Sequence, residues 1–256
     1  MKRWAVFTYG MGAYVVFLGT FLYAAGFVGN FLVPKSMDSA REGSLIVALV
    51  VNLALLSLFA VQHSVMARPA FKKRLTRLIP EAAERSTYVL ASSLALIVLF
   101  ALWRPLGGVV WNVTDPTGRA VLLGLFAFGW LLVLVTTFLI NHFDLFGLRQ
   151  IWLYLRQRPY TAIRFRTPGP YRLVRHPLYV GWFFAFWATP TMTVTHVFFA
   201  LVTTAYILVA IQLEEQDLVD AFGISYTSYQ TRVPMLVPRL RGRGHEVAEA
   251  TLVDGR

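Results

Sequence analysis

LYVGWFFAFWATPTMTVTHVFFALVTTAYILVAIQL, residues Leu178–Leu213, is an apolar run of 36 residues. One crossing of a bilayer needs only about 20, and Thr189-Pro190-Thr191 interrupts the run near its middle. Proline lacks the backbone donor a helix requires and disfavours helix at the residue before it. The run therefore predicts two short antiparallel helices, 178–189 and 194–213, forming a hairpin that enters the membrane and returns. Toward the N-terminus, four further stretches (6–32, 45–66, 86–106 and 119–140) are long and apolar enough to span. The first exceeds the 7–15 apolar residues or so of a secretory signal, so it reads as a retained helix behind Lys2 and Arg3. The fold class expected is all-α: a polytopic transmembrane helical bundle of five to six membrane segments, the last two a short helical hairpin.

Composition agrees. The chain is 57% hydrophobic and 14% charged, with mean hydropathy +0.57, whereas a soluble domain carries about 25% charged residues. The formal net charge is +11, which by itself fits a nucleic-acid partner or a membrane surface. The placement of the charges decides between them. With a cytosolic N-terminus, 20 of the 24 Lys and Arg residues fall on the cytosolic side, and only Lys35, Arg41, Arg104 and Arg119 fall opposite. That asymmetry follows the positive-inside rule and supports an even number of crossings, with both termini cytosolic. Basic loops against anionic headgroups of a lipid bilayer account for the charge, and no nucleic acid is needed. The absence of cysteine excludes disulfides, thiolate metal sites, iron–sulfur clusters and a cysteine nucleophile. The expected organisation is a four-helix transmembrane region (1–140), a catalytic loop with the hairpin and a cytosolic C-terminal helix (141–238), and a disordered Arg/Gly-rich tail (239–256).

Polar and ionisable groups at a membrane boundary are functional candidates by default. Three clusters fall at predicted cytosolic helix ends: Gln62-His63-Ser64, Asn141-His142-Phe143-Asp144, and Arg175-His176-Pro177-Leu178-Tyr179 together with Glu214-Glu215-Gln216-Asp217. A tight hairpin makes His176 and Glu214 neighbours. Pro177 suits the first turn of a helix, and the N–H groups after it favour an anion. With Arg175 and His176 just before it, this foot would hold a ligand carboxylate. Gly181 lets a ligand or another helix approach closely. Glu214 or Glu215 can accept hydrogen bonds from ribose hydroxyls or an amino group, and successive helical residues diverge by about 100°, so one of the two points into a given pocket. Tyr226 and Tyr229, three apart on one helix face, are placed to cover an adenine ring or a sulfonium. Structural readings compete: His176 as a helix cap, His63 against headgroups, His142 and Asp144 as a helix end, the glutamates paired with loop arginines. His196, Trp182 and Trp187 read as structural or interfacial. Three histidines on one face raise the question of a metal, but no HxxxH or HxxE spacing supports one, and no metal site is expected.

The run Arg-His-Pro-x-Tyr-x-Gly, then Glu-Glu, then Phe222-Gly223-x-x-Tyr226-x-x-Tyr229 with Val233 and Pro234, resembles the membrane methyltransferases related to isoprenylcysteine carboxyl methyltransferase and phospholipid methyltransferase, over about 170–238. Asn141–Gln150 (NHFDLFGLRQ), Phe165–Arg172 (FRTPGPYR) and Gln62–Arg68 (QHSVMAR) are similar to the bacterial methanethiol S-methyltransferase family, and a related nitrite/nitric-oxide-associated membrane family shares the last of these in part. The resemblance implies S-adenosylmethionine as methyl donor, a small volatile thiol as acceptor with dimethyl sulfide as product, and a cytosolic-facing cofactor pocket in the bacterial inner membrane. It places Arg175, His176, Pro177, Tyr179, Gly181, Glu214, Glu215, Tyr226 and Tyr229 on the cofactor. A thiol reacts as its thiolate, so His142, Asp144 or His63 is the expected proton acceptor, with Phe143, Phe146, Tyr171 and Arg172 beside the acceptor. Two other readings share part of the pattern. One is an NADPH-dependent reductase of the sterol-reductase type, whose chains are longer. The other is a non-enzymatic membrane protein binding metal or haem.

Overall fold

The computed structural model describes residues 1–41 and 43–239; the expected tail lies almost wholly outside them. Among the described residues, five helices are long and apolar enough to cross a membrane: α1 (Lys2–Gly29), α2 (Leu45–Ala67), α4 (Glu81–Leu102), α5 (Pro116–Ile140) and α9 (Val194–Phe222). The boundaries have local causes. Pro69 closes α2 and opens the short α3 (Pro69–Leu75). The Asp115 carboxylate accepts from the Gly118 N–H at 2.7 Å, with Pro116 in the first turn, and so starts α5. Helix α4 begins five residues before the expected 86, because Glu81 and Glu84 favour a helix N-terminus. It stops at Leu102 rather than 106, ahead of Pro105.

The hairpin exists but is asymmetric, which corrects the expectation of two short helices. Its first arm, α8 (Pro177–Trp187), has 11 residues, a rise of only about 16 Å. Its second arm, α9, has 29 residues and runs nine beyond the expected end at 213, to a stop at Gly223 with φ 53°. The polar run at Glu214 marks where apolar sequence ends, but Glu, Gln and Leu are all good helix formers and the helix continues through them. Glu214 and Glu215 therefore lie inside a helix, not at its foot.

At the turn, β2 (Thr191–Thr193) pairs antiparallel with β1 (Val109–Asn112), an element the sequence did not announce. Val109 faces Thr193, and Trp111 and Asn112 face Met192 and Thr191 across a bulge. The Thr193 hydroxyl caps α9 by accepting from the His196 N–H and also bonds the Asp38 carboxylate. His196 is buried, with Nε2 donating to the Phe186 carbonyl at 2.8 Å, in keeping with a structural role. These contacts tie the α1–α2 loop, the β1 loop and the hairpin turn together at one end of the bundle. The N-terminus, α3, α6 (His142–Leu145), α7 (Leu148–Leu155) and α10 (Ile224–Arg232) occupy the other, basic end.

Between the ends, α1 packs on α4 and α7, α2 on α4, and α5 on α8. The core is aromatic: Phe27, Phe100, Trp103, Phe126, Trp130, Phe186 and Phe199 are buried in one cluster. A buried amide joins α2 to the segment just after α4. Asn52 donates from Nδ2 to the Arg104 carbonyl (2.7 Å) and accepts from the Arg104 N–H at Oδ1 (2.9 Å). Asn52→Leu leaves both backbone groups without these partners, and a loss of about 1–3 kcal/mol in unfolding free energy is expected from thermal or denaturant melts in detergent.

Candidate active site

Helices α2, α4, α8, α9 and α10 bring polar side chains to the basic end around Glu214 and Glu215. Glu215 sits at the centre of a closed network, with both its side chain and that of Arg175 12% exposed. Its Oε1 receives Arg175 Nε at 2.7 Å and His176 Nε2 at 2.9 Å, and its Oε2 receives Gln230 Nε2 at 3.0 Å. A carboxylate only accepts, so His176 carries its proton on Nε2 and turns Nδ1 toward Glu214, 4.0 Å from Oε2. The Arg175 guanidinium also donates to the Val233 and Gln230 carbonyls (2.7 and 3.1 Å). The backbone N–H groups of Arg175 and His176 bond the Pro234 and Met235 carbonyls. Arg175 thus fastens the segment after α10 onto the start of α8. Its charge is already paired with Glu215.

Glu214 is different. Its side chain is 46% exposed, and its Oε2 accepts a hydrogen bond from the Tyr179 hydroxyl at 2.8 Å. The two adjacent glutamates diverge as helix geometry requires, one locked inward and one open. Pro177 stands at the first turn of α8, and His176 makes no side-chain cap there, so the N–H groups of that turn remain uncapped by a side chain. Gly181 does not face this cluster. A Cβ on it would lie 2.8 Å from the Gly129 carbonyl oxygen and 3.0 Å from the Val133 nitrogen, so its lack of a side chain serves the α5–α8 contact.

Tyr226 and Tyr229 do share a face of α10, with ring centroids 5.9 Å apart, but both are buried against Phe165. Tyr229 donates to the Tyr171 carbonyl at 2.5 Å. Burial pushes the Tyr229 hydroxyl up to about 12, and burial with the Glu215 charge pushes Tyr226 up as well, so both are neutral; Tyr229 donates, while the buried Tyr226 hydroxyl has no hydrogen-bond partner among the described residues. They hold the Phe165–Arg172 loop over α9 and α10. Arg172 itself is exposed.

His63 joins this neighbourhood through α4. The Tyr88 hydroxyl lies 2.8 Å from its Nε2 and the Ser92 hydroxyl 3.2 Å from its Nδ1. Ser64 bonds Tyr206 on α9 (3.2 Å), and Arg68 pairs with Asp217 at 3.1 Å. Tyr88, Tyr171 and Tyr179 all lie within electrostatic reach of Glu214.

His142 and Asp144 fall on the α1 side instead. Asn141 caps α6 by accepting from the Asp144 N–H. Asp144 pairs with Arg149 at 2.9 Å and accepts from Tyr160 at 3.2 Å, binding the loop to α7. His142 is buried between Phe138 (centroids 4.1 Å, planes 5° apart) and Phe146 (4.7 Å). Burial holds its imidazole below the usual range, hence neutral. Tyr14 of α1 meets Nε2 and Thr137 meets Nδ1, each at 2.8 Å. Phe143 is exposed and touches His142 edge-on. Among the described residues, no group of three or more His, Asp or Glu side chains gathers as metal ligands would.

Sequence reading missed Tyr14, Tyr88, Thr137, Tyr206 and Gln230. A lone tyrosine or threonine in an apolar helix carries no signal of its own. Only the fold shows that Tyr14, Tyr88, Thr137 and Gln230 each meet a histidine or carboxylate of a motif, and Tyr206 the hydroxyl of Ser64.

No family model matches the chain, and no solved structure matches it. Curated relatives do. It is 56% identical to methanethiol S-methyltransferase of Crocosphaera subtropica, over 93% of each chain. It is 52% identical to methanethiol S-methyltransferase of Mycobacterium tuberculosis, over 93% of this chain and 98% of that one. Nurim of Bos taurus is 31% identical over 71% of this chain. Identity of this degree over nearly the full length, with every motif above inside the bundle it predicted, means that the chain belongs to the methanethiol S-methyltransferase family.

Proposed function

We propose that the chain methylates methanethiol to dimethyl sulfide, with S-adenosylmethionine as donor, at the cytosolic face of the bacterial inner membrane. The observation that carries this is the half-open Glu214 carboxylate, oriented by Tyr179 beside the uncapped N-terminal turn of α8. The donor presents an amino-acid carboxylate, an amino group, ribose hydroxyls and a cationic sulfur. Glu214 can accept from the hydroxyls or the amino group, and the α8 turn can receive the carboxylate. The donor set fits the molecule. When bound, it supplies an electrophilic methyl group whose departure neutralises the sulfonium.

The protein's part is placement, exclusion of water and proton removal. Glu215, Arg175, His176 and Gln230 form the rigid support that holds Glu214 and the α8 turn in register. Tyr226 and Tyr229 hold the Phe165–Arg172 loop over the same region, which leaves Tyr171 and Arg172 as part of that cover. Phe146 and Phe143, with Phe17 and Phe138, supply the apolar surroundings a small thiol requires, and His142, neutral and dry, is the base best suited to it. His63 orients the Tyr88 side of the pocket. Asp144, paired with Arg149, holds the loop that carries His142. The basic loops support a cytosolic position for this end, where a soluble donor is available. The reductase and the metal- or haem-binding readings find no counterpart among the relatives reported.

Equilibrium binding to the purified protein tests the donor half. S-adenosylmethionine should bind saturably, and Glu214→Gln should weaken it about tenfold or more, the loss of a charge-assisted hydrogen bond. NADPH should not bind. Saturable NADPH binding without S-adenosylmethionine binding would reverse the assignment.

A further inference from the structure

We propose that Tyr14 of α1 is the catalytic group that takes the thiol proton, with His142 behind it as the base that keeps it; this rests on the methyl-transfer reading above.

The hydrogen bonds around His142 decide the direction of the relay. The Thr137 hydroxyl donates to the Leu134 carbonyl at 2.7 Å, so toward His142 its oxygen accepts. Nδ1 is therefore the protonated nitrogen, held at 2.8 Å. Nε2 keeps its lone pair and accepts the Tyr14 hydroxyl, also at 2.8 Å. His142 is only 4% exposed, and an incoming sulfur would have to displace Tyr14 to reach Nε2. Tyr14 itself is partly open, and its oxygen keeps acceptor capacity beyond the one hydrogen it donates.

The surroundings suit a small apolar thiol. The Tyr14 ring lies 5.9 Å from Phe17 and 6.3 Å from Phe146, and Phe17 stacks on Phe146 at 4.0 Å. The position along the bundle suits the donor. On α1, Phe17 leads to Phe21 (6.0 Å), which meets Trp182 of α8 at 6.4 Å. Tyr14 is one turn below Phe17, and Tyr179, which orients Glu214, is one turn below Trp182. Both hydroxyls lie on the basic side of the same aromatic contact.

The step balances. The S–H bond breaks and its proton goes to the Tyr14 oxygen, while the Tyr14 proton passes to His142 Nε2. The thiol sulfur uses the freed electron pair to bond the methyl carbon. The bond from that carbon to the sulfonium sulfur breaks, and its pair stays on the departing sulfur. Imidazolium results, with Nδ1–H still on Thr137, and later returns its proton to water.

A relay of this kind matters for methanethiol, whose thiol is mostly protonated near neutral pH, and much less for an acidic thiol already ionised. Purified Tyr14→Phe and wild type should be compared on methanethiol and on 2,2,2-trifluoroethanethiol, with S-adenosylmethionine binding measured alongside. The expected result is a loss of about 100-fold or more in turnover of methanethiol, a much smaller loss on the acidic thiol, and unchanged donor binding. Equal losses on both thiols, or none on either, would overturn the proposal. Should Tyr14→Phe fail to fold, Thr137→Val, which removes the acceptor that fixes the His142 tautomer, should show the same methanethiol-selective loss. If wild type methylates neither thiol, the proposed function fails; if wild type methylates both and the variants match it, only the relay fails.

Discussion

Glu215→Ala is expected to abolish donor binding and to lower the unfolding free energy of the detergent-solubilised protein by about 3–5 kcal/mol, the cost typical of removing one partner from a buried ion pair. The reason is what remains. Arg175, 12% exposed, would lose its carboxylate at 2.7 Å while still held by the Val233 and Gln230 carbonyls. His176 and Gln230 would each lose an acceptor. The start of α8 and the segment after α10 would lose their common anchor, and Glu214 its rigid support. Replacing Arg175 and Glu215 together with methionine should restore much of the stability, since no uncompensated charge is left buried, but not the binding. Glu214→Gln gives the opposite profile, with melting unchanged and binding weakened about tenfold or more. Thermal melts and ligand titrations on these variants separate support from contact. Equal melting of Glu215→Ala and wild type would remove Glu215 from the centre of this account.

The second large effect belongs to the α5–α8 contact. In Gly181→Val, the new Cβ would lie 2.8 Å from the Gly129 carbonyl oxygen and 2.8 Å from Val133 Cγ2. In Gly129→Val it would lie 2.5 Å from the Ala185 nitrogen and 2.7 Å from the Gly181 carbonyl oxygen. Three of these obstacles are backbone atoms of a neighbouring helix, which cannot rotate aside. Overpacking a core by a few methylenes costs about 1–3 kcal/mol; here the helices themselves must separate, and α8 is too short to hold the membrane alone. Loss of the folded, monodisperse protein is expected, read by size-exclusion chromatography of a fluorescent fusion. Gly12→Ala, where an added Cβ meets nothing within 4 Å, is the control and should behave as wild type.

Much of this was legible in the sequence, for identifiable reasons. Pro190 within an apolar run announced the hairpin, because proline acts on the backbone locally. The divergence of Glu214 and Glu215 followed from helical geometry alone. The extent of α9 did not follow, because hydropathy marks the edge of the apolar sequence and not the end of a helix. Arg175 beside a helix start reads as an anion ligand until its partner, 40 residues away, is known. The role of Gly181 was open between a ligand and a helix, and only the fold assigned it to α5. Tyr14 and Thr137 were invisible because their meaning lies in what they touch. The β1–β2 pair joins two runs of three and four residues about 80 apart, too short and too distant for any local pattern to disclose.

The central claim is methyl transfer to a small thiol, and one measurement addresses it most directly. Purified protein in liposomes should be given S-adenosylmethionine labelled with deuterium in its methyl group, together with methanethiol, and the headspace and the lipid analysed by mass spectrometry. The account predicts dimethyl sulfide carrying one labelled methyl group, formed in step with consumption of the donor and strongly reduced with Glu214→Gln. Label appearing in the lipid, or no labelled dimethyl sulfide from protein that binds the donor, would contradict it.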